Sequence, residues 1–158
     1  AVDEAVDRLD AMRLAEGGAL AAAMRDLLRE ITALVADVRT RVPQTLVAHR
    51  ERLVERVSKL LEQNGTALSE ADIAHEVALI ADRSDIAEEL VRLESHVAQF
   101  DRLLGEEGSG RSLDFLAQEL AREANTVASK SLDVQTAHAV VELKARIERL
   151  REQAQNVE

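Results

Sequence analysis

Cysteine is absent from this chain of 158 residues, so the protein forms no disulfide and offers no thiolate to a metal. Tryptophan and tyrosine are absent too, and Phe100 and Phe115 are the two aromatic residues. With so few rings, reading of nucleic-acid sequence by base stacking is not expected. No apolar run approaches the roughly 20 residues of a membrane-spanning helix, so we expect no membrane partner. The lack of cysteine fits a reducing compartment, and we predict a cytoplasmic protein.

Positive charge is also scarce, because 30 acidic residues face 20 basic ones and the formal net charge is −10. Affinity for phosphate scales with the number of Lys and Arg contacts. The balance therefore argues against simple electrostatic capture of nucleic acid. Any nucleic-acid site must be a local basic patch or use a divalent cation.

Strand signals are missing, whereas apolar residues recur at helical spacing along most of the chain. The single proline, Pro43, favours a first helical turn. The sequence therefore predicts an antiparallel helical hairpin over residues 1–64, with Pro43 opening its second helix. The predicted seam positions of this hairpin are Leu20, Met24, Leu27, Ile31, Leu34, Val38, Leu46, Leu53, Val57 and Leu60.

A helical bundle is predicted for residues 65–158, which gives an all-α fold of long antiparallel helices. Asn64-Gly65 reads as a helix C-cap, and Ser69 with Asp72 as the next N-cap. We expect a kink or restart near Ser84, a loop at "GEEGSGR" (105–111) and a break at 129–133. The predicted core positions are Ile86, Leu90, Leu93, Val97, Phe100, Leu104, Leu113, Leu116, Leu120, Ala124, Val127, Thr136, Val140, Leu143, Ile147, Leu150 and Ala154. Seams of this length exceed what one small core needs, so we predict a homo-oligomer.

The densest ionisable stretch is "ADRSDIAEELVRLESH", residues 81–96. On a helix, Asp85, Glu89, Arg92 and His96 share one face. Carboxylates beside an imidazole suit Mn²⁺ or Mg²⁺, and an arginine next to them could hold a phosphate. From spacing alone, a solvated helix that carries i,i+4 ion pairs explains this stretch better than a site does.

A second polar face lies in "LDFLAQELAREANTVASKS", residues 113–131. Glu119 and Glu123 form a like-charge i,i+4 pair, which costs a few tenths of a kcal/mol unless a cation or partner offsets it. Asn125 and Lys130 follow, and such groups could contact phosphate oxygens or a ribose hydroxyl. A solvated face explains this pattern as well. The remaining histidines have no metal-ligand spacing and are interpreted as structural or surface residues: His49, His75 and His138.

Three blocks in the second half of the chain carry a specific resemblance. "ADRSDIAEELVRLESHVAQF", "GRSLDFLAQELAREANTVASKS" and "VVELKARIERLREQAQNVE" together resemble the YicC/YloC family of bacterial proteins. The resemblance implies a divalent-metal-dependent endoribonuclease that acts as a hexamer, with links to small-RNA turnover and stress responses. It also implies that residues 65–158 are the carboxyl-terminal helical domain of the family and that residues 1–64 are the hairpin at the end of its amino-terminal region, without the amino-terminal α/β domain.

Within those blocks, the site residues are assigned by chemistry. His96, Glu119 and Glu123 are candidate catalytic residues, since an unperturbed imidazole titrates near pH 6.5. The candidate ligands of Mn²⁺ or Mg²⁺ are Asp85, Glu89, Glu119 and Glu123. The candidate RNA-binding residues are Arg83, Arg92, Arg111, Arg122, Asn125 and Lys130.

Two mechanisms and two functions stay open at this point. Cleavage could use metal-activated water, which leaves a 3′-hydroxyl, or internal attack by the ribose 2′-hydroxyl, which leaves a cyclic 2′,3′-phosphate. The alternative to an enzyme is a non-catalytic helical oligomerisation, RNA-clamp or adaptor module, because every polar face above also suits a solvated helix.

Overall fold

The protein, analysed as a computed structural model, is described over residues 2–64, 70–106, 108–131 and 133–157. Five helices follow one another along these ranges: α1 (Val2–Asn64), α2 (Glu70–Arg83), α3 (Ala87–Leu103), α4 (Gly110–Lys130) and α5 (Val134–Ala154). No strand occurs in the described ranges, so the all-α prediction is confirmed.

Helix α1 is a single helix of 63 residues, and the predicted hairpin is wrong. Pro43 lies inside the helix instead of opening a second one. Proline removes one backbone hydrogen bond, here the one to the carbonyl of Arg39, and usually kinks or breaks a helix. Both residues are exposed, so solvent can bond to the carbonyl that loses its partner.

The middle of α1 provides its share of the core. Met24, Ile31 and Val38 are at most 1% exposed, and α1 packs here against α3 and α5. The seam predicted over residues 20–38 is therefore confirmed, with Leu20 and Leu34 partly buried at its edge. Beyond Pro43, Leu53 and Val57 are half-buried, whereas the side chains of Leu46 and Leu60 lie outside the described residues.

Helices α3, α4 and α5 form the rest of the bundle, with α4 packed against both α3 and α5. Their core was predicted position by position from the apolar spacing. The fully buried side chains include Phe100 of α3, Leu120 of α4 and Leu143 of α5. Burial on this scale stabilises the fold by about 1.5–3 kcal/mol for each large apolar side chain.

The predicted restart near Ser84 is confirmed, because α2 ends at Arg83 and α3 begins at Ala87. Ser84 Oγ donates to the Ile80 carbonyl at 2.8 Å. Asp85 Oδ1 accepts from the Ala87 N–H at 2.9 Å, which satisfies one free donor of the new helix. Glu88 in the first turn of α3 pairs with Arg92. The caps predicted at Asn64-Gly65 and at Ser69 with Asp72 depend on Gly65 and Ser69, which lie outside the described residues.

The predicted break at 129–133 is confirmed, and it contains a cap that the sequence analysis missed. Asp133 Oδ1 accepts from the backbone N–H groups of Gln135 and Thr136 at 2.9 Å, and its Oδ2 accepts from Thr45 of α1 at 2.8 Å. This cap ties the start of α5 to α1. None of the described helices is both long and apolar enough to cross a membrane.

Candidate functional site

Helices α3 and α4 run antiparallel, and polar side chains of both line their contact. We call this line the polar seam; its members are Glu89, Arg92 and His96 of α3 and Glu119, Glu123 and Lys130 of α4. At one end, Lys130 Nζ donates to Glu89 Oε1 and to the Asp85 carbonyl, both at 2.8 Å. Glu89 is only 8% exposed, so this pair is largely withdrawn from water. The bond joins the last turn of α4 to the first turn of α3, 41 residues apart in the chain.

The environment of Glu89 acts on its pKa in two directions. Burial raises the pKa of a carboxyl group, whereas the hydrogen bond and charge of Lys130, together with the charge of Arg92, lower it. The net result is a pKa of Glu89 below the ordinary glutamate value. The carboxylate is therefore ionised and engaged at neutral pH.

Arg92 links the seam to its second acid. Its Nη1 lies 3.4 Å from Glu123 Oε1, and its Nη2 pairs with Glu88 one turn earlier in α3. Glu123 is 7% exposed, whereas the Arg92 side chain is half exposed. The charges of Glu88 and Glu123 raise the pKa of Arg92, so the guanidinium stays charged.

His96 and Glu119 continue the seam by one helical turn. His96 lies four residues after Arg92 on α3, and Glu119 lies four residues before Glu123 on α4. Because the two helices are antiparallel, His96 and Glu119 lie at the same level, one turn beyond the Arg92–Glu123 pair. His96 is half-buried, and its Nδ1 has no hydrogen-bond partner among the described atoms. Glu119 Oε1 accepts from Arg122 at 2.8 Å.

The predicted metal ligands are not gathered into one cluster. No group of three or more His, Asp or Glu side chains suited to a metal occurs within the described ranges. Asp85 caps α3 and Glu89 is bonded to Lys130. Glu119 and Glu123 lie one turn apart on the same face of α4, so these two carboxylates are neighbours. Each of them contacts an arginine.

The predicted RNA-binding residues fall into three places. Arg92 and Lys130 belong to the seam, with Lys130 held by Glu89. Arg83 ends α2 and Arg111 lies in the first turn of α4; both are exposed and form no ion pair with another described residue.

The last two, Arg122 and Asn125, lie in an open groove of about 570 Å³ between α4 and α5, which we call the α4–α5 groove. Its lining residues are Gln118, Ala121, Arg122, Asn125, Thr126, Ser129 and Arg151. Arg151 was missed by the sequence analysis, because α5 carries several basic residues and spacing alone does not distinguish the one that faces α4.

Comparison with known proteins gives a consistent answer. The family model described as "Endoribonuclease YicC-like, C-terminal" matches residues 38–158, which include all of α2 to α5. The chain is 41% identical over 162 residues to "Probable endoribonuclease YicC" of Clostridioides difficile and 40% identical over 159 residues to the protein of that name from Haemophilus influenzae. Each alignment covers 100% of this chain and 54% of the relative, so the chain spans about half the length of these curated relatives. The chain belongs to the YicC-like endoribonuclease family, and its residues 38–158 correspond to the carboxyl-terminal part of that family.

Proposed function

We propose that this chain is part of an endoribonuclease, a protein that cuts phosphodiester bonds within RNA. The observation that carries the proposal is the family match over residues 38–158, because that range contains the entire polar seam between α3 and α4. The relatives named as probable endoribonucleases are longer than this chain, so the activity is proposed for the whole protein to which such a chain corresponds.

The seam supplies groups suited to this reaction. His96 transfers the proton, because an imidazole can both accept and donate one through its ring nitrogens; its buried Nδ1 has no hydrogen-bond partner in the described structure. Arg92 presents a charged, half-exposed guanidinium one turn away, where it can stabilise negative charge that develops on the phosphate. Glu119 orients this end of the seam through its bond to Arg122.

We propose that the reaction depends on Mn²⁺ or Mg²⁺, held by Glu119 and Glu123. Magnesium commonly binds through one or two carboxylates and keeps several waters or substrate phosphate oxygens, so a two-carboxylate site suits it. The arginine contacts of both residues must loosen to admit the ion, and the 3.4 Å pair of Glu123 is the weaker of them. A bound cation would lower the pKa of water and neutralise charge on the phosphate.

We also propose that the protein acts as a homo-oligomer, a hexamer by family resemblance, in cytoplasmic small-RNA turnover and stress response. Exposed apolar side chains support the association. The first turns of α1 carry Val2, Val6, Leu9, Met12 and Leu14, all at least half exposed. Five exposed apolar side chains within 13 residues of one helix are typical of a surface that binds another protein. Sedimentation velocity over a range of protein concentrations tests the assembly.

The test of the activity is incubation of a structured RNA with this chain, with Mn²⁺ or with EDTA. The full-length Clostridioides difficile relative serves as the comparison. Cleavage by both proteins, abolished by EDTA, is the expected result and places the reactive groups in this chain. A 3′-hydroxyl on the products supports metal-activated water, whereas a cyclic 2′,3′-phosphate supports attack by the 2′-hydroxyl and contradicts the proposed role of the metal.

A second function, that of a non-catalytic RNA clamp, is favoured by one observation. Each predicted metal ligand already has a partner within the described chain, and Glu89 and Glu123 join α3 to α4, as expected of structural side chains. RNA binding by this chain without cleavage, beside cleavage by the longer relative, would select this function.

A further inference from the structure

The α4–α5 groove differs from the other concave surfaces in the charge of its lining. Arg122 and Arg151 line it, and none of its lining residues is acidic. Three other grooves or cavities in the described part of the chain each include at least two carboxylates. Acids lie at its margin, since Arg122 donates to Glu119 Oε1 at 2.8 Å. Asp114 and Glu148 lie 3.7 and 3.8 Å from Arg151. In a chain of net charge −10, a groove lined by two guanidinium groups and no carboxylate is nevertheless the concave surface best suited to an anion.

Several polar side chains of the groove have hydrogen-bonding groups without a partner in the described structure. Thr126 and Ser129 donate to backbone carbonyls of α4, which leaves their oxygen lone pairs available as acceptors. Asn125 is exposed, and its amide makes no hydrogen bond to another described residue. The groove thus offers acceptors for a hydroxyl as well as donors for an anion.

Arg151 is the member of the groove that α5 contributes. Its nearest acids are Asp114 Oδ1 at 3.7 Å and Glu148 Oε1 at 3.8 Å, both beyond hydrogen-bond distance. Its Nε is buried and has no hydrogen-bond partner in the described structure. The Arg151 guanidinium is therefore held near two carboxylates by charge, but it makes no hydrogen bond to either, so its Nη donors can turn to an anion in the groove.

We infer that the α4–α5 groove binds the sugar–phosphate backbone of RNA, with Arg151 and Arg122 on phosphate oxygens and Asn125, Thr126 and Ser129 on ribose hydroxyls. The inference rests on the proposed function for the identity of the ligand as RNA. The groove follows α4 from Gln118 to Ser129, about 16 Å at 1.5 Å per residue, enough for a short stretch of single strand. The groove lies on the α5 side of α4, whereas the catalytic candidates lie on the α3 side. One RNA strand that contacts both would therefore pass over the exposed surface of α4.

The test is fluorescence anisotropy with a labelled oligouridylate, measured in EDTA at several salt concentrations, with a gel to show that the RNA stays intact. Arg151→Ala removes one phosphate contact. We expect affinity to fall about fivefold and the slope of log K against log salt to decrease by about 0.7. Arg149→Ala removes the same charge from an exposed position of α5 outside the groove, and its slope should match the unmodified chain.

A second pair of variants tests the groove without removing an arginine. Asn125→Asp introduces an acid into the lining and should weaken binding, whereas Gln44→Glu adds the same charge at an exposed position of α1 and should not. Millimolar inorganic phosphate should compete weakly, since it lacks ribose; complete displacement of the RNA would identify a small-anion site and overturn the inference. Equal binding by all four variants, or no RNA binding by the unmodified chain at low salt, would also overturn it. Because the readout is binding, its outcome is independent of whether the protein cleaves RNA.

Discussion

Lys130 and Glu89 join the end of α4 to the start of α3 through a 2.8 Å bond between Nζ and Oε1. The lysine also donates to the Asp85 carbonyl in the turn that separates α2 from α3. One side chain thus fixes the turn, the first residues of α3 and one end of the polar seam. Its removal should affect both the stability of the bundle and the arrangement of the seam.

Lys130→Met should therefore destabilise the protein. The substitution leaves a buried carboxylate and a backbone carbonyl without their donor, and we expect the free energy of unfolding to fall by about 1–3 kcal/mol. Urea denaturation followed by circular dichroism measures the change. Lys144→Met, at an exposed position of α5, is the matched control and should change stability little. Equal stability of the two variants would show that the Glu89 contact is weak.

Stability should also fall in acid. Glu89 and Asp133 both have a lowered pKa in the folded state: burial raises each pKa, but hydrogen bonds, from Lys130 to Glu89 and from Thr136, Thr45 and Gln135 to Asp133, outweigh it. Such groups contribute stability above their unfolded pKa values, about 4, and this is lost as pH falls through the lower folded values. Urea midpoints measured from neutral pH downward should decrease below about pH 5. Glu89→Gln should be less stable at neutral pH and should show a shallower decline.

His96→Gln tests the proposed proton transfer. If the imidazole acts as general acid or base, the rate of RNA cleavage should fall by about 10²–10⁴-fold while RNA affinity is retained. His75→Gln, on the exposed surface of α2, is the control and should cleave at the unmodified rate. A rate that is unchanged in His96→Gln removes the imidazole from the mechanism, whatever the role of the metal.

Pro43→Ala should strengthen α1 at the position where the helix lacks a backbone hydrogen bond. Proline in a helix interior is about 3 kcal/mol less favourable than alanine, and alanine restores the bond to the Arg39 carbonyl. Amide hydrogen exchange of residues 40–46 should slow, with little change near Ile31 in the buried part of the helix. Faster exchange around position 43 would show that proline is required for the local geometry.

The apolar spacing predicted most of the fold because helix interiors repeat with a regular period. Every predicted core position of α3 to α5 is buried or partly buried, from Ile86 to Ala154. The hairpin predicted from Pro43 was wrong because the cost of proline in a helix is local, and a long helix with exposed flanks can tolerate it. The sequence does not reveal that Pro43 is exposed, which is the property that decided the outcome.

The site was predictable in its residue types and not in its pairings. Helical spacing predicts that Asp85, Glu89, Arg92 and His96 share a face, but Asp85 lies in the turn before α3. Glu89 and Arg92 contact α4, which the sequence analysis did not predict. The partners of those two residues, Lys130 and Glu123, lie 41 and 31 residues away, and only the packing of α3 on α4 determines them. The role of Arg151 depends in the same way on how α5 is rotated against α4.

The continuity of α1 has a mechanical consequence. At 1.5 Å per residue its 63 residues extend about 95 Å, whereas its fully buried positions lie between Met24 and Val38. Both ends of α1 therefore extend well beyond the segment that the bundle holds. A rotation of a few degrees where α1 meets α3 and α5 would move the tips by several ångströms, so whatever binds at a tip can sense, or impose, a small repacking beside the seam.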